Sequence, residues 1–153
     1  MTTEIELAKA GLTALATIGV CMTIHVVFMF LILRFQVWFR GRFRRAHGLS
    51  LIAPTILVAT GLMTVSSHLQ VILWAGVMWL FGNFETATDA LYFSATTYTT
   101  LGSGTHALEP PFRMFEPTEA ANGMLAAGLN TAVLFALLSS MARRHSAFDE
   151  FFR

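Results

Sequence analysis

Charge is scarce in this sequence. Only 12% of its 153 residues are Asp, Glu, Lys or Arg, while 55% are hydrophobic and the mean hydropathy is +0.62. So little polar surface cannot cover a soluble domain of this length, so the composition points to a membrane protein. The formal net charge of +1 gives no electrostatic reason to expect nucleic acid. Cysteine occurs once, which excludes an intramolecular disulfide. Cys21 lies in an apolar run and reads as a small buried hydrophobe. Val20 before it is too large for a lipoprotein cleavage site. A nucleophile and base at a motif spacing are also missing. Ser94, Ser103 and the five histidines are scattered, so the pattern gives no enzyme.

Apolar runs fill the place of the missing charge. Met1 to Lys9 carries Glu4, Glu6 and Lys9 rather than the basic leader of a secretory signal, so the following run is expected to be retained. Gly11 to Leu33 has the length of a first transmembrane helix. His25 inside it is expected to be a neutral histidine bonded to a neighbouring helix, with a proton-sensing group as the alternative. Arg34 to Arg45 interleaves five arginines with aromatics, the pattern of a cytoplasmic exit. Arg34, Arg40, Arg42, Arg44 and Arg45 are expected to face anionic lipid headgroups. Leu49 to Phe81 is a second span, with Pro54 expected in its first turn. Ser66, Ser67, His68 and Gln70 would be expensive against lipid and should face other helices. Trp74 and Trp79 then approach the far interface.

Gly82 to Glu85 breaks the run. Thr86-Ala87-Thr88-Asp89 reads as a capping box, with Thr86 as N-cap and Asp89 reaching back to its backbone N–H. The helix that follows, Ala87 to Tyr98, is too short to span a bilayer and reads as re-entrant, with Tyr92 and Phe93 as packing residues. Its C-terminal dipole would favour a cation. Next comes Thr97-Tyr98-Thr99-Thr100-Leu101-Gly102-Ser103-Gly104, whose alternating glycines allow positive-φ conformations and let successive carbonyls turn one way. Glu109, Pro110, Pro111 and Pro117 mark a surface loop. His106 and Glu109 there read as solvated residues, a weak cation site being the alternative. Ala120 to Ala142 is the third span. Gly123 and Gly128 in it allow bending or close packing, and Asn130 and Thr131 are expected to meet an aqueous cavity. Eight of the ten basic residues fall on one side if the N-terminus is outside and the C-terminus cytoplasmic, which puts the glycine-rich segment at the outer face.

The stretch T-L-G-S-G from Thr100 to Gly104 resembles the T-V-G-Y-G filter of potassium channels, where backbone carbonyls replace the ion's hydration shell. The likeness extends from Trp74 through Phe84 and Ala90-Leu91-Tyr92-Phe93-Ser94 to Glu119-x-x-x-Gly123. It is similar to the two-helix pore domain of the potassium-channel superfamily, within it to small bacterial ion-channel proteins. Ser103 stands where that family usually has Tyr or Phe, and Thr105 where it usually has Asp. The resemblance implies an all-α membrane protein of three transmembrane helices plus a re-entrant pore helix and filter loop, assembled as a tetrameric pore in a cell membrane. It implies a filter of Thr100, Leu101, Gly102, Ser103 and Gly104, supported by Asp89, Tyr92, Thr97 and Thr99. Gly123 and Gly128 would be inner-helix hinge or packing positions. The ion implied is potassium, with sodium admitted because of the two departures, and no cofactor or other metal. The alternative is a non-conducting scaffold or sensor that keeps the pore fold. The expected division is residues 1–48 as N-terminal helix and basic linker, 49–145 as pore domain, and 146–153 as a tail too short for a ligand-binding domain.

Overall fold

The computed structural model describes residues 2–43, 49–102, 104 and 107–142. Ser103, Thr105, His106, Arg44, Arg45, Arg143, Arg144 and the 146–153 tail, with the expectations attached to them, lie outside the described residues.

Four α-helices follow one another: α1 (Thr2–Arg42), α2 (Leu49–Leu80), α3 (Ala87–Tyr98) and α4 (Phe115–Ala142), the last entered through a 3₁₀ turn at Phe112–Met114. α1, α2 and α4 are each long and apolar enough to cross a membrane. α3, with 12 residues, rises only about 18 Å and cannot. The expected first span is the middle of a 41-residue helix. Nothing between Leu33 and Arg40 breaks it, since glycine and proline are absent there and the arginines and aromatics are compatible with a helix. Pro54 sits inside α2, at its sixth residue rather than in the first turn. The four free N–H groups of a helix start are already passed there, so the ring removes one backbone bond.

The helices meet along narrow seams. In α1 the buried positions are Ala10, Ala14, Thr17, Cys21, His25, Ile32 and Gln36, and in α2 Thr55, Ala59, Met63, Ser66, Gln70, Trp74, Ala75 and Met78. Apart from Ala75, which adjoins Trp74, spacings of three, four or seven place each set on one helix face. The other faces carry Leu12, Leu15, Val26, Phe30, Val37, Leu57 and Ile72 exposed, a surface that suits a lipid solvent. α1 packs on α2 and α4 of its own chain, and α3 wedges between α2 and α4. Two clusters result. At the α3 end, Trp74, Met78, Phe93 and Phe115 close around Ala10, Ala14 and Cys21. At the opposite end the cluster is smaller: Ile32, Ala59, Met63 and Leu137.

Candidate functional site

α3 starts where the capping box places it, with one change in chemistry. Thr86 Oγ1 accepts from the Asp89 backbone N–H at 3.1 Å, and the same hydroxyl donates to Asp89 Oδ2 at 2.7 Å. The carboxylate therefore returns to the Thr86 hydroxyl and not to its backbone N–H. Phe93 packs against Phe84. Tyr92, expected to pack, is exposed, as are Leu91 and Leu101.

The C-terminal end of α3 passes directly into the glycine-rich segment. Thr99 is the C-cap and Thr100, at φ 62°, is left-handed. Thr100 N donates to Thr97 O and Leu101 N to Thr96 O, each at 2.9 Å, which is the Schellman pattern. Gly102 N donates to Thr96 O as well. The dipole reading expects bare carbonyls here. Instead those of Thr96 and Thr97 are occupied by the loop's own N–H groups. Positive φ then recurs at Gly102 (76°) and Gly104 (66°), while Leu101, between Thr100 and Gly102, is not left-handed. Alternation of hand along a chain turns its peptide groups so that like atoms share one side. Thr100 is the single described non-glycine residue at positive φ, and a β-branched residue there is strained. Thr99 is exposed, and its hydroxyl bonds back to Ala95 O at 2.8 Å; Thr97 is buried.

A buried polar network holds this helix end. Gln70 Oε1 accepts from Tyr98 Oη at 3.2 Å and from Asn122 Nδ2 at 3.0 Å. Its Nε2 donates to Ser66 Oγ at 3.3 Å and meets His25 Nδ1 at 3.2 Å. One amide thus joins all four helices. Beside it, the Ser94 hydroxyl reaches Val71 O at 2.8 Å and also Glu119 Oε1. Glu119 and Asn122 are fully buried. The expectation for His25, a bond to a neighbouring helix, is met. That for the α2 polar cluster holds for Ser66 and Gln70 but not for His68, which is exposed and turns Nδ1 to its own Thr64 O at 2.8 Å. Asn122, Tyr98 and the Ser94–Glu119 pair were not singled out for this role by sequence reasoning. An amide in an apolar run was the available signal for Asn122, one it shares with Asn130.

Gly123 presses on the same point from the other side. A Cβ there would lie 1.9 Å from Tyr98 O and 2.9 Å from its carbonyl carbon, so only glycine lets α4 approach. Its role within the chain is close packing. A Cβ on Gly128 would meet nothing within 4 Å. Asn130 is half-buried, and the exposed Thr131 donates its hydroxyl to Ala127 O at 2.9 Å. Glu109 takes part in a turn, its carbonyl accepting from Phe112 N at 3.0 Å. At the far end of α1, Arg34 and Arg42 are exposed, while Arg40 donates to Ser140 Oγ of α4 at 3.0 Å. That bond turns one of the five arginines partly inward. Among the described residues no group of His, Cys, Asp and Glu could hold a metal.

Residues 67–140 match the family described as Ion channel, a stretch that begins in the middle of α2 and ends near the end of α4. These residues form an ion channel domain. The protein is a multi-pass membrane protein in which that domain is preceded by a further long apolar helix, α1. Every contact described around Gln70 except those of Ser66 and His25 falls inside the ion channel domain. No curated protein and no solved structure matches the chain.

Proposed function

We propose that this protein is a cation channel whose filter is Thr100 to Gly104 and whose pore is closed by four copies of the chain. The observation that carries this reading is the change of hand through Thr100, Leu101 and Gly102, with positive φ again at Gly104, directly after a capped helix too short to span and between two spans. Such a backbone can offer carbonyls in series to an ion. One segment per chain cannot make a ring, so several copies around an axis are required. Support for the assembly comes from α3. A re-entrant helix is tolerated only inside protein, and here Leu91, Tyr92 and Leu101 are left uncovered by their own chain. Gly128, Asn130 and Thr131 lie on α4, which would line the central cavity. The preferred ion is potassium with relaxed discrimination against sodium, because Ser103 is too small to brace the backbone from behind. The N-terminus is outside and the C-terminus cytoplasmic by the distribution of arginines, and Arg34 and Arg42 meet anionic headgroups.

Planar-bilayer recording of the purified protein under potassium and sodium gradients tests the reading, with native mass spectrometry for the tetramer. Cation currents with a reversal potential between the two equilibrium potentials are expected, and Ser103→Tyr should move it toward potassium. A tetramer that passes no cation would favour the scaffold reading, to which Ser103 also lends itself.

A further inference from the structure

The ion channel domain begins at residue 67, so His25 of α1 lies outside it. One side chain, Gln70, separates His25 from Tyr98, the last residue of α3. The order of donors and acceptors through that side chain is fixed. Gln70 Oε1 is taken by two donors, the Tyr98 hydroxyl and Asn122 Nδ2, so both hydrogens of Nε2 point the other way, to Ser66 Oγ and His25 Nδ1. His25 Nδ1 therefore acts as an acceptor, shared between Gln70 Nε2 at 3.2 Å and Ser66 Oγ at 3.4 Å, and Nε2 has no partner among the described residues, so the contacts at Nδ1 orient the ring. The two acceptors on its nitrogen side, Ser66 Oγ and His25 Nδ1, oppose reversal of the amide. Without His25, only Ser66 on Gln70's own helix still opposes from that side the reversal that would set Nε2 against the Asn122 amide and the Tyr98 hydroxyl.

We propose that His25 is a positioning residue for the filter: by accepting from Gln70 it fixes the amide that holds Tyr98, and with Tyr98 the backbone of Thr99 to Gly102. This rests on the channel reading above for its consequence in conduction, though not for its geometry. The Tyr98 hydroxyl is held by Gln70 while the Tyr98 carbonyl is seated on Gly123, so both ends of that residue are gripped. The three following N–H bonds, from Thr100, Leu101 and Gly102, are the first part of the filter and depend on where α3 ends.

The test uses the full chain in detergent, with hydrogen exchange read at the amides of Thr100, Leu101 and Gly102 and reversal potentials recorded on the same preparations. His25→Leu should raise exchange at those amides roughly five-fold, the worth of one neutral hydrogen bond. His25→Asn, whose amide oxygen occupies the Nδ1 position, should restore the wild-type rate. With Tyr98→Phe already in place, His25→Leu should add nothing, because the path is cut. Unchanged exchange in His25→Leu, a rise of equal size throughout the chain, no rescue by Asn, or full additivity with Tyr98→Phe would each overturn the assignment. Should His25→Leu not assemble, His25→Gln replaces it, since its longer side chain carries the amide past the Nδ1 position, and the same outcomes decide. A wild type that conducts no cation would overturn the channel reading alone, and the exchange result would still decide the role of His25.

Discussion

α2 and α3 end in the same way with different residues. At the end of α2, Gly82 N donates to Trp79 O and Asn83 N to Met78 O; at the end of α3, Thr100 N donates to Thr97 O and Leu101 N to Thr96 O. Both are Schellman caps, and both place a left-handed residue after the C-cap, Gly82 at φ 74° and Thr100 at φ 62°. Glycine holds that conformation freely, whereas an L-residue is disfavoured there by about 1–2 kcal/mol. The α2 cap is a relaxed turn. The α3 cap is a strained one that its surroundings must enforce, and those surroundings are the Gln70 network and the Gly123 contact. Strain kept at one helix end and avoided at the other marks the first as the end where backbone shape matters.

That difference can be broken at its supports or reversed at the caps. The largest effect is expected at Gly123. Gly123→Ala drives a Cβ into the Tyr98 carbonyl, a backbone group that cannot swing aside. A loss of about 3 kcal/mol is expected, read as a fall in the midpoint of thermal unfolding in detergent; Gly128→Ala, with open space around it, should move the midpoint far less. Next is Gln70→Leu, which leaves the Tyr98 hydroxyl and the Asn122 amide buried without their acceptor. About 2 kcal/mol should be lost, with a rise in tyrosine solvent exposure by fluorescence quenching limited to Tyr98. The smallest effects are a mirrored pair. Gly82→Ala should cost about 1 kcal/mol, whereas Thr100→Gly should stabilise by a similar amount while loosening ion discrimination. Equal signs for the two would show that Thr100 is not strained.

The extent of α3 was legible because its signals are local: a Thr and an Asp three apart, a short apolar run, and glycines beyond it. The start of α4 was less so, since Phe112 to Thr118 mixes two aromatics, charges and Pro117, which do not mark a helix start on their own. The Gln70 network could not be read at all as a network. His25, Ser66, Gln70, Tyr98 and Asn122 are spread over most of the chain, and their meeting depends on the rotation of four helices about their axes. Sequence periodicity says which face of each helix is apolar, but not which residue on one face lies opposite which on the next. The same limit hid the Schellman closure of α3, because Thr100 is the residue least expected at a left-handed site. It also hid the orientation of His68, two residues from both Ser66 and Gln70 of the buried seam and therefore on the opposite side of the helix.

The length of α1 has a mechanical consequence. It is an unbroken helix bonded near its middle at His25 and, toward its far end, through Gln36 and Arg40, which both donate to Ser140 Oγ. From His25 to Arg42 the helix runs roughly 25 Å. Around a fulcrum at His25, a tilt of about 5° sweeps that end through roughly 2 Å, enough to part a hydrogen bond of ordinary length. α1 is thus a lever whose short-range load is the end of α4. The two bonds to Ser140 lie farthest from that fulcrum, so such a tilt would stretch them the most.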